Sequence, residues 1–592
     1  MATASARHAP NRDQKIREHA VGLSHLTLPK IKTLLAKAPP DSLDPSKGPT
    51  NRSQKDALDA LVALGCSYAL RHDSLLVPIS SFLPSVWSSA CAWGFIFMRD
   101  IVLSDIAEGS LKDKIICAMG GLFSKIVEIG SISVHNQVFA SIPHFLDVSL
   151  EILVQLLAAD HLAFQHWSHF HFVFCDVIKG LKTRNAREYQ RISDRLAPKY
   201  DIPGLCIRRF NEEVFDGDMS SQGFHTVMMC WMTFSQSSET VFRAILSKGG
   251  ISCVVNGIHR FVRLSIGKKR PRWDDNLYYL QVANSIVDCE DILLTMLTRG
   301  QSWVIEALDC QLLTVLAKVP PSLDGKWANI PIGRQTVAIV ECIMPFVIYR
   351  GVLNRVIRAK IRMDIMGGNI GIEAVQDAIQ KLLNYAAETK EAYRVFEKIT
   401  PSLSTHCSNT NCQNCYDTPL EPVRLKRCYG CHLALYCSSG CQKAHWRNSH
   451  RKKCASSPRP KRDGISYGMS DFDIAFMRYL IRRRAPDWTQ KLLVHSQRKP
   501  GQAFIISATL SEAPMTINTG ISRERLEGSL PNDGRRTLKA IMGSISDFRK
   551  ECVLHCVLPE SSGAKHFFDV MDINEPSVEF SVSFNSRTNR PT

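Results

Sequence analysis

Between Cys407 and Cys454 the chain sets eight cysteines close together, with His450 at matching spacing to the last: Cys407-x4-Cys412, Cys415 shortly after, Cys428-x2-Cys431, Cys437-x3-Cys441 and His450-x3-Cys454. Zinc takes four thiolate or imidazole ligands in a tetrahedron, and cysteines two to four residues apart can turn both sulfurs onto one ion without strain. A solitary C-x2-C would also suit a redox dithiol. Four successive pairs instead specify two zinc ions, held by Cys407, Cys412, Cys428, Cys431, Cys437, Cys441, His450 and Cys454, with Cys415 as the alternative to Cys407. Eight protein ligands fill both coordination shells and leave no position for a catalytic water, so a binding module is expected. A segment this short cannot fold on apolar burial alone. Structural zinc, contributing on the order of 10–16 kcal/mol in finger peptides, would fold it.

The residues between the ligands carry more than spacing. Leu425-Lys426-Arg427-Cys428-Tyr429-Gly430-Cys431, then Leu435-Tyr436-Cys437-Ser438-Ser439-Gly440-Cys441-Gln442-Lys443-Ala444-His445-Trp446, then His450 and Cys454, closely resemble the MYND-type zinc finger. The string Cys407-Ser408-Asn409-Thr410-Asn411-Cys412 resembles the C-x-N-x-x-C opening of many fungal members, which favours Cys407 over Cys415. The resemblance implies interleaved sites, one zinc held by the first and third pairs and the other by Cys428, Cys431, His450 and Cys454. It further implies a groove for short proline-containing peptides at Gln442 and Trp446. The order of regions resembles MYND-type proteins of mushroom-forming fungi.

A disulfide framework fits poorly, because the other twelve cysteines are scattered singly among apolar residues, as buried thiols are in a reducing compartment. The chain's net charge of +17 invites a nucleic-acid reading, and Arg424 to Arg462 holds eleven Lys/Arg and no Asp or Glu. Seven thiolates and two zinc ions together contribute about −3, which reduces that field. Nucleic-acid binding is therefore not expected. Lys268-Lys269-Arg270-Pro271-Arg272 and the split cluster Arg451-Lys452-Lys453 with Arg459, Lys461 and Arg462 match nuclear-import signals. An intracellular protein is expected, nuclear rather than cytoplasmic. His161, His166, His169 and His171 lack a carboxylate or cysteine at matching spacing and read as core or surface histidines. Gly367 to Gly371 follows no strand and reads as a turn.

The elements that must hold the metal ligands are mainly helical. Residues 1–50 read as partly disordered apart from a short helix near Leu28 to Lys37. Residues 51–400 read as an all-helical region, its first helix capped by Ser53. Ser74 to Met98 is uncharged but rich in serine and proline, which suits a buried helix pair better than a membrane span. No leader peptide is expected, since the first thirty residues hold Arg7, Arg12, Lys15 and Arg17 and no apolar run. Val241 to Val255, with Gly249-Gly250 inside, and Val304 to Leu316 look like helix–turn–helix junctions of armadillo-type repeats, with an irregular all-helical domain as the alternative. Residues 403–456 form the finger and 457–592 a linker and small α+β tail. In the tail, a helix is expected at Asp471 to Arg484 and strands at Phe504 to Leu510 and Val578 to Phe584.

The expected function is a non-enzymatic scaffold that meets protein partners through short linear peptides. A SET-type lysine methyltransferase is the enzymatic alternative, but no Asn-His-Ser-Cys string follows the finger. A basic nucleic-acid-associated regulator is the third reading, resting on charge alone.

Overall fold

A computed structural model describes residues 26–69, 73–104, 106–107, 109–129, 145–158, 186–216, 221–266, 275–323, 332–365, 371–399, 407–409, 411–412, 425–431, 433–457, 460–466, 470–484, 494–495, 497, 504–509, 516–519, 523–530, 535–536, 538, 542, 551–560 and 563–572. The histidines at 161–171, the basic run 268–272, Gly367 to Ile370, Cys415 and the expected strand at 578–584 lie outside them.

The chain separates into two compact units, Met1–Cys253 and Val254–Thr592. The first contains α1 (Leu28–Leu35), α2 (Arg52–Ala69), α3 (Asp73–Phe97), α4 (Gly109–Ile129), α5 (Phe145–Ala158), α6 (Ala186–Tyr200), α7 (Ile202–Asn211), α8 (Ser221–Ser235), α9 (Glu239–Ser247) and the start of α10 (Gly250–Ile266). Helix α2 is capped two residues earlier than the sequence suggested. The Gln54 amide donates to Asn51 Oδ1 at 2.9 Å, the Asn51 amide donates to Gln54 Oε1 at 3.2 Å, and Ser53 lies inside the helix. This reciprocal pair satisfies two orphan donors, where a serine alone would satisfy one. The expected helix pair at 74–98 is one helix, α3, which runs on as the π-helical turn Met98–Val102. A proline removes one amide donor and crowds one turn, and this segment absorbs both without dividing. Buried Arg209 on α7 donates from Nε to Leu157 O at 2.8 Å and pairs with Glu212 at 2.6 Å, tying α7 to the end of α5.

The second unit continues with α11 (Asp275–Leu297), α12 (Gln301–Asp309), α13 (Leu312–Leu316), α14 (Ile332–Ile343), α15 (Arg350–Ile365) and α16 (Glu373–Ile399). Trp303, Leu308, Leu312, Ile339, Val356, Leu382 and Phe396 are buried within it. The segment after the finger returns to these helices. There α19 (Pro460–Asp463), two short finger helices before it, leads to α20 (Asp471–Arg484). Phe476 of α20 stacks on Tyr393, with ring centroids 3.4 Å apart, and Phe472 meets Phe396 edge-on. Lys461 pairs with Glu306 at 3.0 Å, and Ser466 Oγ accepts from the Ser302 amide at 3.1 Å. The basic linker is thus partly docked through Lys461 and Ser466, and Arg462 pairs with its neighbour Asp463.

Sharp helix junctions punctuate both units. At Gly249 (φ 89°) and Gln311 (φ 65°) the backbone turns left-handed between two helices. The hydrogen bonding is the same at both: the amide before the turn residue bonds four residues back, and the turn residue's own carbonyl accepts from Cys253 or Val315 four residues on. Asp201 (φ 45°) makes a third such corner between α6 and α7. Its carboxylate accepts from the Gly204 amide, a cap that lets a non-glycine hold the αL position.

The tail holds a four-stranded sheet in the order β4 (Thr516–Thr519), β3 (Phe504–Thr509), β5 (Glu551–Glu560), β6 (Gly563–Asp572), after the finger's own β1 and β2. Strands β3 and β5 are parallel, Phe504 opposite Cys552, and the outer pairs are antiparallel. The fold is mainly α, with a zinc-finger region and a small α+β tail. Among the described residues no single helix is long and apolar enough to cross a membrane; the bent pair α9 and α10 passes on length and composition alone.

Candidate metal centre

A two-residue hairpin and three short helical pieces bring the paired ligands together. Strand β1 (Lys426–Arg427) pairs antiparallel with β2 (Leu435–Tyr436), and the Cys428 amide donates to Ala434 O at 2.8 Å. Ser408 extends the pairing, donating its amide to Leu435 O at 2.7 Å and accepting from the Leu435 amide on Oγ at 2.9 Å. This fixes Cys407 and Cys412 beside the second strand. Ser438 caps α17 (Ser439–His445), accepting from the Cys441 amide at 3.1 Å. The chain then passes through the π-helical turn Trp446–His450 into α18 (Arg451–Ser456), which sets His450 and Cys454 on the face turned to the hairpin.

Two clusters of four donors result, Cys407, Cys412, Cys437 and Cys441 in one and Cys428, Cys431, His450 and Cys454 in the other, with each set's ligand atoms within 4.8 Å of one another. In the first, Cys412 Sγ lies 3.4 Å from Cys437 Sγ, Cys437 lies 3.5 Å from Cys441, and Cys441 lies 3.5 Å from Cys412. In the second, Cys428 and Cys454 are 3.8 Å apart, and His450 Nε2 is 3.3 Å from Cys428 and 3.6 Å from Cys431. A tetrahedron with zinc–sulfur bonds of about 2.3 Å and zinc–nitrogen bonds of about 2.0 Å places sulfurs about 3.8 Å apart and sulfur about 3.6 Å from nitrogen. The distances lie within about 0.4 Å of those edges and exceed a disulfide bond by more than an ångström. Both sites fit zinc.

The surroundings suit anionic sulfur. Burial pushes the Cys428 thiol up, but the Cys431 and Gly430 amides and the Cys454 and Cys431 thiols turned toward it bring it below its ordinary value. In the other cluster the Ser438 hydroxyl holds Cys441 down at about 6, while burial and the neighbouring thiols push Cys437 up to about 12. Four thiols so close cannot all ionise without a cation between them, and a dication removes that limit. Burial, then His445 and Lys453, lowers the pKa of His450, keeping the neutral imidazole a metal requires.

Cys407 completes the first cluster, and Cys415 lies outside the described residues. Asn409 was not singled out from the sequence, yet it is buried and central: its amide bonds to the Cys407 sulfur, its side chain to Cys441, and its Oδ1 accepts from the Asn411 amide. The asparagine of the C-x-N-x-x-C string is the signal that could have found it. Tyr436 is a further residue of the site. It is 1 % exposed, and its hydroxyl lies 3.1 Å from His445 Nδ1.

Gln442 is half-buried on α17. Trp446 is 37 % exposed and leans on the imidazole of His450, ring centroids 5.8 Å apart. The buried cluster of the finger consists of Cys407, Cys412, Cys428, Cys431, Ala434, Tyr436 and Cys454, with Leu433, Cys437 and Cys441 against it, and does not include Trp446.

No curated protein significantly matches the chain. Residues 409–454 match the family model of the MYND finger, a match that begins after Cys407, so donor geometry and not the match brings that cysteine into the site. The chain therefore carries a MYND finger, a zinc-binding protein-interaction domain with two interleaved four-ligand sites.

Proposed function

We propose that the chain is a non-enzymatic scaffold whose finger docks a short proline-containing segment of a protein partner against Trp446, with Gln442 beside it. The observation that carries this is the placement of Trp446: an indole outside the finger's buried cluster, braced from behind by zinc ligand His450. A rigid aromatic wall suits proline, whose fixed ring loses little entropy on binding. The absence of catalysis is part of the proposal and is supported by two zinc sites with four protein donors each. Nuclear residence is proposed on Arg451, Lys452 and Lys453, all exposed, while Lys461 and Arg462 are engaged in ion pairs.

Partner capture from cell extract by the full chain, with proline-rich peptides as competitors, tests the docking surface. Trp446→Ala should reduce capture by about one to two orders of magnitude, as for an aromatic hot spot, with two zinc ions retained. Gln442→Ala should weaken it less. Unchanged capture in both variants would remove the groove, and transfer of labelled methyl groups from S-adenosylmethionine to protein substrates would overturn the non-enzymatic reading.

A further inference from the structure

Helices α10 and α13 of the second unit enclose a groove of about 310 Å³, away from the finger's ligands. Its walls are unusual in charge. Arg263 on α10 and Lys318 just past α13 are exposed, and neither has an acidic partner among the described residues. His259 does not offset them: its ring N–H donates to Cys310 O at 3.0 Å, and burial with the two cations keeps the imidazole neutral. Between the cations the floor is apolar, formed by Val262 and Val315, and Ile266 at the mouth is 54 % exposed.

We infer that this groove is a second docking site, for an acidic linear peptide of a partner protein in which glutamate or aspartate alternates with an aliphatic residue. The carboxylates meet Arg263 and Lys318, and the aliphatic side chain covers Ile266. Charge complementarity selects the occupant: two cations with no acidic partner among the described residues, set around an apolar floor, reject basic segments, and in a chain of net charge +17 such a segment is best supplied by another protein. The inference is independent of peptide docking at Trp446.

A fluorescein-labelled dodecapeptide of alternating glutamate and leucine, titrated with the full chain and read by anisotropy, tests it. The double reversal Arg263→Glu and Lys318→Glu should weaken binding by about tenfold or more, since each attraction becomes a repulsion. Ile266→Ser should weaken it severalfold. Non-specific attraction is controlled by Arg358→Glu with Lys360→Glu, two other exposed cations whose reversal gives the same net charge of +13 (17 − 4) and should leave affinity within about twofold. A lysine–leucine peptide should in turn bind the reversed groove better than the original one, which shows that the variant is folded. Equal loss in the control variant, equal binding of a glutamine–leucine peptide, no binding by the unaltered chain, or loss on Trp446→Ala would each overturn the site. So would displacement by a single-stranded dodecanucleotide at lower concentration than by unlabelled peptide, which would assign the cations to nucleic acid.

Discussion

The finger and the helices of the second unit are held by different physics. Of the seven residues in the finger's buried cluster, five are cysteines, and Ala434 and Tyr436 are the whole apolar remainder. The helices instead bury large side chains outright, among them Trp303, Phe346 and Phe396. Burial at about 25 cal/mol per Å² of apolar surface accumulates over many such residues, whereas two side chains cannot offset the ordering of the finger's backbone. One region folds by excluding water and the other by binding a metal.

Zinc removal should produce the largest effect and breaks the comparison if it fails. Treating the full chain with a strong chelator should release two zinc ions, withdraw on the order of 10 kcal/mol or more from the finger, and expose its lysines and arginines to trypsin. Far-ultraviolet circular dichroism should change little, because the helices do not depend on the metal. Release of one ion, or collapse of the helical signal, would show that the division is wrong.

Two tryptophans sharpen the contrast at a smaller scale. Trp303 is fully buried on α12, so Trp303→Ala should cost about 3–5 kcal/mol in chemical denaturation. Trp446→Ala, at a 37 % exposed position outside the core, should cost less than about 1 kcal/mol and leave zinc content unchanged. Comparable losses would mean that Trp446 is a core residue after all.

The helical region also contains a cost that a metal-folded module avoids. Glu290 on α11 is completely buried, and burial raises its pKa to about 8, against the pull of the Thr336 hydroxyl, which donates to it at 2.7 Å. An ordinary carboxyl titrates near 4.3, so between that value and about 8 the folded chain holds a proton that the unfolded chain has released. The contribution is greatest below the unfolded value and is lost as pH rises through the folded one. Glu290→Gln keeps the Thr336 bond and cannot ionise. Its stability in chemical denaturation should match the parent's near pH 4 and exceed it near pH 8 by several kcal/mol, up to about 5 kcal/mol for a rise from near 4.3 to about 8. Equal stability at both pH values would show that Glu290 ionises freely.

What the sequence made legible follows the same division. Metal ligands must be particular residue types at particular spacings, so the finger could be read from its cysteines. Of the residues that orient those ligands, Asn409 is marked by the C-x-N-x-x-C string, whereas Ser438 is not, because its hydroxyl meets the Cys441 amide only once α17 has formed. In the helical part the apolar pattern locates helices such as α20 (Asp471–Arg484) but says little about their ends: Asn51 rather than Ser53 caps α2 because Gln54 is placed to answer it. Strands β5 and β6 went unread, since the apolar residues of Glu551–Glu560 fall on both faces and give no clean alternation.

The smallest expected effect concerns the two matching helix junctions, one of which the sequence marked with glycines while the other it did not. At Gly249 the positive φ is natural, and an added Cβ would lie 3.2 Å from Ser252 Oγ, so Gly249→Ala should destabilise by about 1 kcal/mol. Gln311 adopts the same left-handed conformation with a side chain that gains nothing from it, being exposed and without a cap bond. Left-handed strain in a non-glycine residue costs about 1–2 kcal/mol, and glycine gives back about 0.4–1 kcal/mol through the freedom of the unfolded chain. The net for Gln311→Gly is a gain of about 0.5–1 kcal/mol. Denaturant midpoints of the two variants, read against the parent, should therefore move in opposite directions. A loss of stability in Gln311→Gly would mean that the glutamine side chain holds its corner, as the Asp201 carboxylate holds the corner between α6 and α7.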